Sequence, residues 1–504
     1  MNKIKTRFAP SPTGDLHVGG LRTALFAYLF AKKNNGEFLL RIEDTDQSRY
    51  KKDSVDSILD GLKWAGINWD NKEIIYQSSR IEIYQKYAKQ LIDEGRAYYC
   101  FCTQETLADM RKVQEQNKQA PKYDRRCLNL TREKIEEKLK SGTPYVIRMK
   151  IPDKFQTNFK PSLEEVENET STKVGMKIIE FKDLIRGKVK FNLKEIDDQI
   201  LLKSDGYPTY HLANVIDDHE MKITHIIRAD EWLSSTPKHI ILYNYFDWDL
   251  PEFAHIPLIL APDKSKLSKR HGATGVLEFK KLGYLPEALI NYIALLGWNP
   301  GNEKEIFTLE KLELEFSLDK VHKAGAIFNQ EKLDWMNGYY IRELSLENFT
   351  EKCLPYLIDA NLIDSKKYNE KYVQSVVALE KERIKKLSEI SKITGYFFKE
   401  INKEIDYDKE LLKWKKSDLK TAKSRLEFLY SELNKVPDEN WTRNSLKNLL
   451  IDLIKAKNLG TGDTLWPMRV ALTGQQNSPG PFEVAEVLGK ENSLERIKNA
   501  IIKL

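Results

Sequence analysis

The period of the apolar positions changes several times in the first hundred residues, and each change predicts an element. Residues 4–9 read as a short strand that stops at Pro10-Ser11-Pro12, because proline has no amide hydrogen to continue a ladder. A turn through Gly14 follows. From Gly19 onward Leu21, Ala24, Leu25, Tyr28 and Leu29 recur at helical spacing, and Asn34-Asn35-Gly36 supplies a C-terminal stop. Residues 38–42 return as a strand. Strand, helix and strand with short connections form the βαβ unit of an open α/β sheet, whose ligand crevice lies at the carboxyl ends of the strands. Arg7, Ser11, His17 and Glu43 all fall at that edge.

Helices are expected over residues 54–64 and 80–94, and a strand over 97–102. Residues 100–190 look like an insertion, since strand-like runs such as 145–151 sit among charged helices. The α/β pattern then resumes with strands at 200–202 and 224–227, helices near 210–215 and 239–246, and a strand over 255–260. Beyond about residue 330 the pattern turns helical and lysine-rich.

The chain has 504 residues, enough for about three to five domains without cross-links. Only four cysteines occur, so a reduced cytoplasmic protein is expected. The charged start, with Pro10 and Pro12 close behind, excludes the apolar core of a signal peptide, and no run of residues is apolar enough to span a membrane. A net charge of +6 permits a polyanionic partner without demanding one. Local basic clusters at residues 381–386 and 413–416, the second containing Trp414, suit RNA contact or a solvated helix face equally well.

Two motifs sharpen this picture. His17-Val18-Gly19-Gly20 opens a helix, where missing side chains let a nucleotide approach the backbone and exposed amides favour phosphate. The Lys-Ser/Thr pair of a P-loop is absent, which argues against a Walker-type NTPase. Lys266-Leu267-Ser268-Lys269-Arg270 gathers three cations in one loop, suited to stabilising a pentavalent phosphorus and a departing pyrophosphate.

These motifs, with Arg7-Phe8-Ala9-Pro10-Ser11-Pro12-Thr13-Gly14, Arg41-Ile42-Glu43-Asp44-Thr45-Asp46, Tyr207-Pro208-Thr209-Tyr210-His211-Leu212-Ala213-Asn214, Arg228-Ala229-Asp230-Glu231-Trp232 and Trp466-Pro467-Met468-Arg469, resemble the class I aminoacyl-tRNA synthetases, and within them the bacterial glutamyl branch. The resemblance implies an α/β fold. A Rossmann-type parallel-sheet catalytic domain (residues 1–99 and 191–260) would carry an inserted α+β acceptor-binding domain (100–190). A stem-contact domain with the lysine loop (261–335) and an all-α anticodon-binding region (336–504) would follow. It implies ATP-dependent ligation of L-glutamate to the 3′ end of tRNA(Glu) by way of a glutamyl-adenylate, in a cytoplasmic monomer, with Mg²⁺ travelling with ATP.

By the same resemblance His17, Lys266 and Lys269 would be catalytic, and Arg7, Ala9, Ser11, Glu43, Tyr210, Asn214 and Arg228 would bind glutamate. Ser11, Thr13, His17, Gly19, Gly20, Glu231, Trp232, Lys266, Ser268 and Lys269 would bind ATP. The chemistry agrees: glutamate's two carboxylates need cations and its ammonium an anion, which Arg7, Arg228 and Glu43 supply. Arg228 would face the side-chain carboxylate. An amide is nearly isosteric with a carboxylate, so charge must discriminate, and an uncompensated buried arginine costs about 3–5 kcal/mol. Outside this motif context, ion pairs would explain Arg7, Glu43 and Arg228, and core packing Tyr210 and Asn214.

Cys100 and Cys102 are expected to alternate in one strand, with both thiols on one face, and Cys127 follows in the same insertion. Some relatives hold a structural zinc here with a Cys-x-Cys and a later Cys-x-His, but this chain has Asn129 in the histidine position. Tyr123 can supply a fourth, oxygen, ligand. Three competing readings have less support. A truncated-type paralogue would lack the C-terminal third, a silent RNA-binding protein would not need His17, Lys266 and Lys269, and a small-metabolite nucleotidyltransferase leaves Arg7, Glu43 and Arg228 unexplained together.

Overall fold

The computed structural model describes residues 3–155, 178–399 and 405–504. Strand β1 (Lys5–Phe8) pairs in parallel with β2 (Glu37–Ile42), with Arg7 opposite Leu39, and β2 pairs in parallel with β3 (Ile75–Tyr76). Helix α1 (Val18–Lys33) makes the crossover, and Leu21, Ala24, Leu25, Ala27, Leu29 and Ala31 on it are fully buried. Its end differs slightly from expectation: Asn35 rather than Gly36 takes the left-handed position, with φ +52°. Gly36 is needed for another reason, since any Cβ there would collide with the carbonyl of Ile4 in the entry to β1.

The chain next forms β4 (Ala97–Cys100), β5 (Val146–Met149), β6 (Ile178–Asp183), β7 (Gly187–Asn192) and β8 (Ile200–Leu202). An antiparallel sheet of order β4-β5-β8 results. β6 and β7 are an antiparallel hairpin, and β6 also pairs in parallel with β10 (Glu252–Ile256), which pairs in parallel with β9 (His225–Ala229). β6 lies within residues 100–190, yet its partner β10 belongs to the resumed α/β pattern. The main-chain N–H of Thr224 donates to the Lys5 carbonyl at 2.9 Å, and the Lys5 N–H donates to Thr224 Oγ1, so β9 begins against β1. β1 thus has a sequence neighbour on one side and a strand from 220 residues later on the other, the topological switch point at which an open α/β sheet forms its crevice.

The strand expected over 255–260 is two strands. β10 stops before Pro257, which has no N–H, and Ile259–Leu260 pairs in parallel with Ala326–Ile327. Cys102 lies past the end of β4 rather than within it, because the ladder closes at Cys100 opposite Val146.

The contacts divide the chain into two compact units, residues 1–279 with 289–329, and 280–288 with 330–504. Within the second, every described element from Gln330 onward is helical. Its core, including Leu426, Leu429, Leu446, Leu450, Met468 and Leu472, is fully buried. The indoles are tied in by donor bonds: Trp441 to the Ala485 carbonyl and Trp466 to the Leu411 carbonyl, each at 2.8 Å. Trp414 packs on Trp466 with ring centroids 5.0 Å apart, over the bare backbone of Gly462, so this tryptophan of the basic cluster is a packing residue.

No described helix is long and apolar enough to cross a membrane.

Candidate active site and thiol cluster

The His17 motif is joined through the backbone to the segment just beyond the lysine loop. The Val18 N–H donates to the Thr274 carbonyl at 2.9 Å, and the Val276 N–H to the Leu16 carbonyl at 2.8 Å. The two motifs open on one cavity of about 820 Å³, at the upper end of the range for small-molecule sites. Arg7, Ala9, Ser11, Thr13, His17, Gly19, Gly20, Glu43, Tyr210, Asn214, Arg228, Glu231, Trp232, Lys266 and Ser268 all line it. The Lys269 side chain is outside the described part of the structure.

His17 is the N-cap of α1, and its Nδ1 accepts the Gly20 N–H at 3.1 Å. The expectation of free amides at this helix start is corrected for Val18 and Gly20, whose N–H groups are both engaged. The glycines also serve another end: a Cβ on Gly19 would sit 3.0 Å from the His17 ring, so bare backbone lets the imidazole fold back. With Nδ1 accepting, the neutral ring carries its proton on Nε2. The surrounding walls, followed by the charge of Lys266, lower the His17 pKa against a smaller opposing pull from Glu231. The donor offered to the cavity is therefore a neutral N–H. Lys266 Nζ pairs with Glu231 at 2.7 Å, an exposed contact that a polyanion could replace at little cost. The loop is also bonded internally: Ser268 N–H donates to His271 Nδ1 at 3.1 Å, and Arg270 NH2 to Ser265 Oγ at 3.1 Å.

Beneath this edge lies a charge cluster whose aspartates, Asp217 and Asp218, the sequence motifs do not contain. Asp218, fully buried on the helix Tyr210–Glu220, accepts from Arg7 Nε at 2.9 Å, Arg7 NH2 at 3.0 Å and Arg41 NH1 at 2.7 Å. Arg41 also donates to Glu43 at 3.0 Å, and Asp217 accepts from Arg80 at 2.9 Å and Tyr84 at 2.8 Å. Burial raises the Asp218 pKa, but Arg7 and Arg41 outweigh it and hold the carboxylate ionised. In Glu43 burial wins over Arg41, and its pKa rises. Arg7 is thus largely neutralised before any ligand arrives.

Arg228, at the end of β9, is different. Among the described residues its hydrogen-bond acceptors are His255, His239, Thr236, Tyr210 and the Trp232 carbonyl, none of them a carboxylate. Burial pushes down the pKa of His255 to about 4 and of His211 to about 3, and that of His239 well below its usual value. Each therefore titrates lower folded than unfolded, so the unfolded chain binds more protons between about pH 6.5 and pH 4 and stability falls as pH drops through that window. We expect a lower melting temperature at pH 5 than at pH 7.5, and equal values would count against neutral burial of these rings.

In the insertion the sulfurs of Cys100, Cys102 and Cys127 lie within 4.8 Å of one another. The Tyr123 hydroxyl is 3.3 Å from Cys100 Sγ and 3.4 Å from Cys102 Sγ, and the Cys102 and Cys127 sulfurs are 3.5 Å apart. A tetrahedral zinc with its usual ligand lengths places sulfurs about 3.8 Å apart, so three thiols and a phenol fit a closed site after small adjustments. The Arg148 guanidinium stands 4.1 Å from the Tyr123 ring centroid, a cation suited to an anionic ligand set. The hydrogen bond from Cys127, then that from Tyr123, favours the Cys100 thiolate against burial.

Comparison with known proteins agrees with this geometry. The model of the class I tRNA synthetases (E and Q), catalytic domain, matches residues 3–179 and 170–335, and that of an anticodon binding domain matches 348–501. The glutamate–tRNA ligase of Clostridioides difficile is 42% identical over 523 residues, covering 99% of this chain and 100% of that one. Glutamate–tRNA ligase 2 of Thermoanaerobacter pseudethanolicus is 44% identical over 504 residues, covering 99% and 98%. A solved glutamate tRNA ligase from Elizabethkingia meningosepticum, in complex with its amino acid, superposes with a TM-score of 0.85 at 36% identity over 100% of both chains. With a parallel-sheet catalytic part, a helical C-terminal part and relatives matched end to end, this chain belongs to the class I tRNA synthetases, in the family of the glutamate–tRNA ligases.

Proposed function

We propose that the chain attaches L-glutamate to the 3′ end of tRNA(Glu) at the expense of ATP, in a reducing cytoplasm and as a monomer. The observation that carries the chemistry is one cavity that holds a buried arginine with no carboxylate partner among the described residues, the Glu43 carboxylate, and the His17 and Lys266 donors. Arg228 meets the side-chain carboxylate and Glu43 the ammonium, while Arg7, Ala9, Ser11, Tyr210 and Asn214 complete the pocket. ATP, with its Mg²⁺, lies along Ser11, Thr13, Gly19, Gly20, Glu231, Trp232 and Ser268. An oxygen of the glutamate α-carboxylate attacks the α-phosphorus, the bond to pyrophosphate breaks, and His17, Lys266 and Lys269 stabilise the charge that develops. The terminal ribose hydroxyl of tRNA then attacks the adenylate carbonyl and AMP leaves. No protein nucleophile is required.

The insertion would grip the acceptor end, residues 261–335 the stem and the helical C-terminal region the anticodon, where RNA recognition relies on unstacked bases. Cys100, Cys102, Tyr123 and Cys127 would hold one structural zinc. Metal analysis of protein purified without chelator is expected to give about one zinc per chain; a zinc-free preparation that melts normally would remove the site.

Incorporation of labelled glutamate and, separately, glutamine into tRNA(Glu) and tRNA(Gln), with Lys266→Ala as control, tests the reading. Glutamate on tRNA(Glu) alone makes the enzyme discriminating, and glutamate on both makes it non-discriminating. No charging in any combination would sink it.

A further inference from the structure

The acceptors around Arg228 fall into two groups. Tyr210 Oη and the Trp232 carbonyl, at 3.2 and 3.3 Å, belong to residues that line the cavity. Behind the guanidinium, outside the lining, stand His255 Nε2 on Nε at 3.0 Å, His239 Nδ1 on NH1 at 3.2 Å and Thr236 Oγ1 on NH2 at 2.8 Å. All three are uncharged.

Their neutrality follows from geometry. Arginine can only donate, so His255 Nε2 must accept and the ring proton sits on Nδ1. That proton goes to Asp183 Oδ2 at 2.6 Å. Asp183, at the end of β6, is itself fixed by the main-chain N–H groups of His255 at 3.1 Å, Ile185 at 3.0 Å and Arg186 at 2.8 Å. In the same way His239 must accept on Nδ1, which leaves its Nε2–H for His211 Nδ1 at 3.1 Å. The contrast with Arg7 and Arg41 is one of charge, since those two share the Asp218 carboxylate.

We propose that His255, oriented by Asp183, is a positioning residue that with His239 and Thr236 holds Arg228 from behind without neutralising it, and so sets the preference for a side-chain carboxylate over a carboxamide. A carboxylate in the place of His255 would fix the guanidinium equally well, but it would cancel the charge that separates two nearly isosteric ligands. The imidazole transmits the orientation of Asp183 while standing between the two charges. An entering carboxylate needs to replace only the two long contacts on the cavity side. This inference rests on the reading that Arg228 meets the glutamate side chain.

The test is the KM for glutamate in ATP–pyrophosphate exchange with tRNA present, for His255→Phe, His255→Gln, Arg228→Ala and the double variant His255→Phe/Arg228→Ala. Phenylalanine keeps the ring volume and removes the acceptor, so glutamate KM rises about tenfold or more. The KM for ATP stays unchanged, and selectivity for glutamate over glutamine falls by a similar factor. Glutamine at 255 can donate to Asp183 and accept from Arg228 together, so it restores most of the loss. In the Arg228→Ala background His255→Phe adds nothing further, which a merely structural role would not produce. Unchanged glutamate KM in His255→Phe, no rescue by glutamine, or an additive penalty in the double variant would overturn the proposal. If His255→Phe does not fold, the isosteric Thr236→Val carries the same test: a severalfold rise that disappears when Arg228 is alanine supports the clamp, and no rise overturns it. Normal glutamate KM in Arg228→Ala would instead refute the reading beneath, a separate failure.

Discussion

Asp218→Ala should be the most damaging single change in the catalytic unit. Asp218 is fully buried and accepts three hydrogen bonds from Arg7 and Arg41. Among the described residues its removal leaves Arg7 with no carboxylate in contact, and Arg41 with only Glu43 at 3.0 Å and a distant Asp217 at 3.8 Å. Deleting one partner of a buried ion cluster costs about 3–5 kcal/mol, because the remaining charges cannot return to water. That is a large part of a typical domain's stability. We expect the variant to accumulate as aggregate or to melt far below the parent, by thermal denaturation and soluble yield. A soluble variant with parental melting would mean that water or the cavity solvates these guanidinium groups.

His17→Ala and His17→Asn should separate capping from catalysis. Alanine loses both the cap on the Gly20 amide and the Nε2–H donor; losing a cap costs about 1 kcal/mol. Asparagine is among the best N-cap residues but is too short to place a donor where the imidazole Nε2–H lies. We expect both variants to lose about 10²–10³ in kcat for pyrophosphate exchange, as for the loss of one preorganised donor. Only alanine should lower the melting temperature. If asparagine retains parental kcat, the imidazole is a cap and nothing more.

The parts legible from the sequence were those with local pattern. Proline and glycine punctuation bounded β1 and α1, helical spacing gave α1 its buried face, and the motif residues were brought to one cavity. The role read for Gly19 and Gly20 was incomplete, because the room Gly19 leaves is taken by the ring of His17 two positions earlier and the room beside Gly20 by Leu16, which is visible only in three dimensions. Asp218, Asp183 and His255 escaped notice for a different reason. Asp218 meets residues 177 and 211 positions away, and His255 meets an aspartate 72 positions away. A buried charge looks like any surface charge until its partner is known. The β6 run Ile-Ile-Glu-Phe-Lys-Asp alternates exposed and buried as a half-buried strand should, so that signal was present, within a stretch read as an insertion.

The seam between Lys5 and Thr224 has a consequence for synthesis on the ribosome. The partner of β1 on that side is encoded 219 residues later, so at typical elongation rates the nascent chain carries an open strand edge for on the order of 10–40 s. Until then the wall of the cavity that β9 supplies does not exist, the two hydrogen bonds at Lys5 are unmade, and that side of β1 is open to any other extended chain. A polypeptide released before Thr224 would keep that edge permanently, which makes truncated products of this chain ready substrates for chaperones and for aggregation.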